Sequence, residues 1–268
     1  MFNRNQSFYS NMYPSTSSSP SAPNMAYEVP SSMQNRHEEQ FYQHSYQLED
    51  ALQGLQLVLL VDKSGSMNIA DEDATGQGRS NGMIAPNVWT RYDNVFQVAK
   101  YLAESVFQYD ANGSVPIIFF DEFVKEEEAT NIGQMLVKFR NNKPQTGTTN
   151  MLDALKLAFD RHLNNRENIL FIVFTDGCPD AGQEPKILDL IHKRVVKSDP
   201  TGNRVNILFI RHGDDPQAIQ FLKHLDDCDL IGKNVDTKSD NAVFAMGPKN
   251  VILNAIFEHM DDQFAHFV

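Results

Sequence analysis

Buried strands alternate with helices along most of this chain, and that alternation most narrows the folds open to it. Three runs are almost wholly apolar: LQLVLLV at 55–61, VPIIFF at 115–120 and ILFIVFT at 169–175. A strand that is apolar at every position has both faces covered, which is typical of a parallel sheet between two layers of helices. Between these runs, apolar residues recur at helical spacing and predict the covering helices.

The predicted order of elements is that of a doubly wound α/β fold with a mainly parallel sheet, one short antiparallel edge strand and helices on both faces. The expected strands are Leu55–Val61, Val115–Phe120, the edge strand Phe123–Ala129, Ile169–Thr175, Val205–Ile210 and Asn234–Asp236. The expected helices are Trp89–Phe107, Met151–Leu163, Pro185–Val196, Gln217–Leu225 and Val251–His259.

Composition divides the chain in two. Residues 1–45 are rich in Ser, Asn, Gln, Tyr and Pro and nearly empty of Leu, Ile and Val, so they are predicted to be a disordered tail that buries too little apolar surface to fold. Residues 46–268 are predicted to form one domain, since the 268-residue chain is 41% hydrophobic and suffices for one sizeable core.

Charge and cysteine content indicate which partners and which cellular compartment to expect. The formal net charge of −12 repels phosphate backbones, so nucleic acid is not an expected partner. No run approaches the roughly 20 apolar residues of a membrane-spanning helix, so no membrane partner is expected either. The two cysteines form no disulfide framework and favour a reducing compartment, the cytoplasm.

Oxygen-bearing residues follow two of the apolar strands and precede one helix. DKSGS at 62–66 follows the first strand, DG at 176–177 follows another, and TGTTN at 146–150 leads into a helix. Ligands of such sheets bind at the carboxyl ends of the strands, where the chain order reverses. Hydroxyl and carboxylate oxygens are ligands of hard cations, so these three loops predict a divalent metal site for Mg²⁺, or for Mn²⁺ or Ca²⁺.

The segments LVLLVDKSGSM, GTTNMLDAL and FIVFTDG resemble the metal-ion-dependent adhesion site (MIDAS) of von Willebrand factor A (VWA) domains over roughly Leu55 to Met260. The resemblance implies a Rossmann-like VWA fold and a protein–protein interaction module, in which the metal binds an Asp or Glu of the partner. It implies that the direct ligands are Ser64, Ser66 and Thr149 and that Asp62 and Asp176 act largely through water. Thr148 is the adjacent alternative to Thr149.

Two other function classes remain as alternatives. An aspartyl-phosphate phosphotransferase would use Asp62, but such enzymes usually carry a second aspartate two residues on, where this chain has Ser64. The sequence also has no Gly-x-x-x-x-Gly-Lys loop and indicates no Ser–His–Asp arrangement, so an enzyme is not expected. The third class is a scaffold that binds partners without metal. The oligomeric state is not indicated by the sequence.

Overall fold

Six strands form the centre of the fold. The computed structural model describes residues 54–70, 89–107, 113–145, 147–163 and 168–256, and the predicted tail at 1–45 lies outside these ranges, so its boundary stays a prediction. The strands are β1 (Leu55–Asp62), β2 (Val115–Phe120), β3 (Val124–Ala129), β4 (Asn168–Thr175), β5 (Val205–Arg211) and β6 (Val235–Ser239). They form one sheet in the order β3-β2-β1-β4-β5-β6.

Only the β2–β3 pair of this sheet is antiparallel, and the other four pairs are parallel. β1 lies between β2 and β4, with Leu59 opposite Ile117 on one side and Ile172 on the other. The chain therefore proceeds from β1 toward one edge of the sheet and later returns to the other side of β1. The carboxyl end of β1 is the point where the strand order reverses, and a crevice forms at such a point.

Helices cover both faces of the sheet, which confirms the predicted fold class. The helices are α1 (Arg91–Val106), α2 (Ile132–Asn141), α3 (Met151–His162), α4 (Glu184–Ile191), α5 (Pro216–Asp226), α6 (Asp240–Met246) and α7 (Pro248–Ile256). Side chains of α1, α2, α6 and α7 pack with Leu57, Leu59 and Val61 of β1 on one face. Side chains of α3, α4 and α5 pack with Val58 and Leu60 on the other.

Two helices were not predicted. Helix α2 is amphipathic but short, and among its residues Met135 and Phe139 are buried. Helix α6 has seven residues and ends at Gly247, whose positive φ of 83° breaks it from α7. Both are too short for helical periodicity to rise above chance in a sequence window. The predicted helix Pro185–Val196 is also divided, since its last five residues form a π-helical turn, His192–Val196.

The helices of the described ranges differ in length or polarity from what a bilayer requires. None of them is both long enough and apolar enough to cross a membrane.

The edge strand β3 carries Glu127, whose carboxylate is held by several hydrogen-bond donors of the chain. Glu127 accepts hydrogen bonds from Lys125 Nζ at 2.6 Å and Asn142 Nδ2 at 2.9 Å, and its Oε2 lies 2.8 Å from Lys138 Nζ. Partial burial alone would raise its pKa, but these donors outweigh that effect and lower the pKa to about 2. Glu127 thus joins β3 to α2 and closes one edge of the sheet.

Glu127→Gln is expected to lower the free energy of unfolding near neutral pH by about 1.5–3 kcal/mol, the usual range for a hydrogen bond to a charged group. Because the pKa of the folded state lies below the ordinary value of 4.5, the stabilisation is present above pH 4.5 and is lost as the pH falls toward 2. Urea unfolding from pH 7 to pH 3 measures the gap between wild type and variant. The exposed neighbour Glu128 provides the control Glu128→Gln, and an equal loss in that variant would contradict the assignment.

Candidate metal-binding site

The carboxylate of Asp62 lies at the centre of the candidate site. Asp62 is the last residue of β1 and is fully buried. Its Oδ1 accepts a hydrogen bond from the backbone N–H of Ser64 at 2.8 Å, and its Oδ2 accepts one from Thr175 Oγ1 at 2.8 Å. The first bond bends the chain as it leaves β1, and the second joins the ends of β1 and β4. Thr175 was not singled out from the sequence, although it directly precedes the Asp-Gly pair.

A chain of side-chain oxygens runs outward from this centre. Ser64 Oγ lies 3.1 Å from Ser66 Oγ, and Ser66 Oγ donates to Asp176 Oδ1 at 2.8 Å. The 3-10 turn Gly65–Asn68 sets this spacing, and the buried side chain of Met67 anchors the turn in the core. Ser64 is buried and Ser66 is half-buried, so the chain of oxygens reaches from the interior to the surface.

Arg91, the first residue of α1, also belongs to this cluster, and it could not be found from the sequence. Its Nη1 lies 2.6 Å from Asp176 Oδ2, and its backbone N–H donates to Ile69 O at 3.0 Å. The guanidinium lies against Gly213, where a Cβ would be 2.6 Å from Nε. No short-range pattern links residue 91 to residue 176, so only the packing of α1 onto the sheet brings them together.

Thr149 lies in a loop that is hydrogen-bonded to the segments following β2 and β4, the two strands on either side of β1. Its N–H donates to Asp180 Oδ1 at 3.0 Å, and its carbonyl accepts from Asp180 N at 3.2 Å, which joins it to the segment after β4. The next residue, Asn150, donates from its N–H to Asp121 O at 3.0 Å, at the end of β2. Among the described residues, the Thr149 hydroxyl makes no hydrogen bond to Ser64 or Asp176. The position of Thr149 is thus set by the backbone contacts with Asp180 and, through Asn150, with Asp121.

Asp121 extends the polar edge on the β2 side. Its carboxylate pairs with the ammonium of Lys63, whose backbone N–H donates to Phe120 O at 2.8 Å. Asp121 Oδ1 also accepts from the N–H of Phe123 at 2.8 Å, which forms the tight β2–β3 turn. The positive charge of Lys63, the residue after Asp62, is therefore neutralised by Asp121. Among the described residues, Lys63 makes no ion pair with Asp62 or Asp176.

The electrostatic environment of Asp62 favours a nearby cation. Burial raises the pKa of its carboxyl to about 7, with the negative charge of Asp176 adding to the rise, while hydrogen bonds from Ser64 and Thr175 oppose it. Within the described part of the chain, Arg91 is the only cation that contacts either carboxylate. Two buried acids thus share one resident positive charge.

The spacing of the two serine hydroxyls fits an octahedral cation. Magnesium binds its ligands at 2.0–2.1 Å in an octahedron, so adjacent ligand oxygens lie about 2.9 Å apart. The separation of 3.1 Å between Ser64 Oγ and Ser66 Oγ is close to that edge. No group of three or more His, Cys, Asp or Glu side chains that could hold a metal occurs among the described residues. A metal here would therefore depend on the serine hydroxyls.

Comparisons with known proteins give similarity at the level of the fold. No family model and no curated protein matches this chain. The VWA domain of SpRpn10 is 14% identical, with 73% of this chain and 96% of that chain covered and a TM-score of 0.48. An aerotolerance-related membrane protein from Bacteroides fragilis is 13% identical, with 75% of this chain and 100% of that chain covered and a TM-score of 0.48. The conserved hypothetical protein BatB from Bacteroides thetaiotaomicron is 14% identical, with 75% of this chain and 98% of that chain covered and a TM-score of 0.49.

Gly213→Ala is expected to be more destabilising than an alanine at another glycine of positive φ, because the new Cβ would collide with the Arg91 guanidinium. Gly182→Ala is the control, since Gly182 has a φ of 79°, against 75° for Gly213, and a Cβ added there would meet no atom within 4 Å. The positive φ disfavours alanine in both variants, and the collision adds to that cost only at Gly213. Urea unfolding measures the difference, which should shrink when Arg91 is also replaced by Ala.

Proposed function

We propose that this chain is a VWA-type interaction module that holds a divalent cation, Mg²⁺ first among candidates, and uses it to bind an Asp or Glu of a partner protein. The observation that carries the proposal is the pair of hydroxyls of Ser64 and Ser66, which lie 3.1 Å apart and are hydrogen-bonded to Asp176 at the switch point of the sheet. Ser64, Ser66 and Thr149 would bind the metal directly. Asp62 and Asp176 would act largely through water.

The hydrogen bonds of Asp62 support this division of roles. Each of its two oxygens already accepts a hydrogen bond, and the side chain is fully buried. Asp62 is therefore suited to orienting Ser64 and adding negative charge behind it. A metal bound mainly by neutral hydroxyls keeps most of its positive charge, and that charge attracts a carboxylate from a partner.

The same burial argues against the phosphotransfer alternative. A nucleophilic aspartate needs an oxygen that an incoming phosphoryl group can reach in line. Asp62 has no exposed surface, and Thr175 and Ser64 occupy its two oxygens. Burial of Asp62 thus argues against this one activity, and both the absence of an enzymatic role and a cytoplasmic location are parts of the proposal.

A metal-independent scaffold remains the second candidate, and one contact favours it. Arg91 already supplies a positive charge to Asp176 at 2.6 Å, so the cluster is partly compensated by the chain itself. The two candidates differ in their response to chelation, because partner binding through a metal is lost in EDTA and binding to a scaffold surface persists.

An exposed aromatic side chain lies at the same edge of the sheet as the candidate site. Phe123 is 71% exposed at the β2–β3 turn, next to the Lys63–Asp121 ion pair. Large exposed aromatic side chains are common anchors in protein interfaces. We include Phe123 in the proposed partner-binding surface.

Magnesium is expected to raise the thermal midpoint of the chain, since a ligand that binds only the folded state stabilises it by mass action, by about 2.7 kcal/mol at a concentration 100 times the Kd. Thr149→Ala should reduce the rise and Thr148→Ala should leave it, because Thr149 is the residue whose backbone is tied to the segment after β4. Differential scanning calorimetry with and without Mg²⁺ measures this. A smaller rise in Thr148→Ala than in Thr149→Ala would place the ligand at Thr148. The absence of a rise in the wild type would refute the metal site.

Phe123→Ser is expected to weaken partner capture without changing the Mg²⁺-dependent rise of the thermal midpoint, because Phe123 contacts the partner and not the metal. Leu230→Ser is the matched control, since Leu230 is 64% exposed and precedes β6 at the opposite edge of the sheet. The measurement is affinity capture by the full chain in Mg²⁺ and in EDTA, followed by quantitative mass spectrometry. Partners that are retained equally in EDTA would favour the scaffold, and equal losses in both variants would remove Phe123 from the surface.

A further inference from the structure

Arg91 lies against the candidate site but has no part in the proposed metal coordination. Its Nη1 lies 2.6 Å from Asp176 Oδ2, while Asp176 Oδ1 accepts the hydrogen bond from Ser66 at 2.8 Å. Both oxygens of this carboxylate are therefore held by the chain. The Asp176 side chain is fully buried, so water does not compete for it at the surface.

The position of Arg91 is fixed from three directions. Its backbone N–H donates to Ile69 O at 3.0 Å, and a capping box formed by Thr90 and Asp93 begins the helix at this residue. Its guanidinium occupies the space left by the missing side chain of Gly213. An arginine held in this way acts as a fixed charge with a preset direction, unlike a surface side chain that can swing away.

We propose, resting on the function proposed above, that Arg91 holds Asp176 back from direct coordination and thereby limits the affinity of the site for its divalent cation. Two effects act together. The guanidinium occupies one oxygen of Asp176, and its positive charge repels a metal bound a few ångströms away. The metal that does bind keeps more of its charge and attracts a partner carboxylate more strongly than one neutralised by Asp176.

The test compares two arginine variants in the full chain by isothermal titration calorimetry with Mg²⁺. Arg91→Met removes the charge and keeps much of the apolar stem. Arg194→Met is the matched control, because Arg194 Nη1 also lies 2.6 Å from a carboxylate oxygen, that of Asp160, and both residues lie away from the site. Arg91→Met is expected to bind Mg²⁺ about tenfold more tightly than the wild type or more, and Arg194→Met within about twofold of the wild type.

A second readout separates ligation from simple charge removal. Water-proton relaxation with bound Mn²⁺ reports the number of exchanging water molecules on the metal. If Asp176 becomes a direct ligand once Arg91 is gone, Arg91→Met should lose one such water and Arg194→Met should lose none. An unchanged number in Arg91→Met would overturn the claim that Arg91 holds Asp176 back.

The remaining outcomes separate this inference from the proposed function. Unchanged or weaker Mg²⁺ binding by folded Arg91→Met, with a wild type that binds Mg²⁺, overturns the inference alone. Binding by Arg91→Met but not by the wild type refutes the proposed function and supports the role of Arg91. Absence of binding in both overturns both.

A folding defect in Arg91→Met, seen by circular dichroism, transfers the decision to Arg91→Gln. Glutamine keeps an N–H donor for buried Asp176 but removes the positive charge. Arg91→Gln is expected to bind Mg²⁺ more tightly than the wild type, because the repulsion of the metal is lost, and wild-type or weaker affinity in this folded variant would overturn the inference.

Discussion

Strand β1 is paired on both edges and buried on both faces, and that burial fixes the end of the strand from which Asp62, Ser64 and Ser66 extend. Its residues from Leu57 to Asp62 have no solvent exposure, so the strand cannot shift without opening both cores. The chain leaves the sheet at Asp62, and the neighbouring strands β2 and β4 end at the same edge. Polar residues that follow these strands are thus brought together by strand pairing, so the loops that carry them begin close to one another.

Burial of the carboxylates of Asp62 and Asp176 at the carboxyl ends of β1 and β4 is energetically costly unless their charges are compensated. A carboxylate removed from water needs hydrogen bonds or positive charge to remain ionised. Asp62 receives two hydrogen bonds, and Asp176 receives a hydrogen bond from Ser66 and the charge of Arg91. The pKa of Asp62 is still raised, to about 7. A cluster with two acids and one resident cation therefore has the charge to attract a further cation, and the hydroxyl of half-buried Ser66 lies where the cluster reaches the surface.

The sequence predicted the strands and the oxygen-rich loops because both depend on local pattern. Each of the apolar runs at β1, β2 and β4 reads as a strand without knowledge of its neighbours, and parallel pairing then places Asp62 and Asp176 at one edge. The short helices α2 and α6 were missed because each contains too few apolar residues at helical spacing to show a periodic pattern. The π-helical turn after α4 has no sequence signature that separates it from a helix end.

By itself, the sequence determined the α/β architecture and showed that oxygen-bearing residues follow two of the buried strands, because apolar periodicity needs no knowledge of side-chain contacts. Only the tertiary structure decided the order of the strands in the sheet and the contacts of those polar residues. Thr175 binds Asp62, and Arg91 reaches Asp176 across 85 residues because Gly213 leaves room for its guanidinium. Such contacts depend on how a helix packs against strand ends, and that packing is a property of the whole core that no short segment of sequence carries.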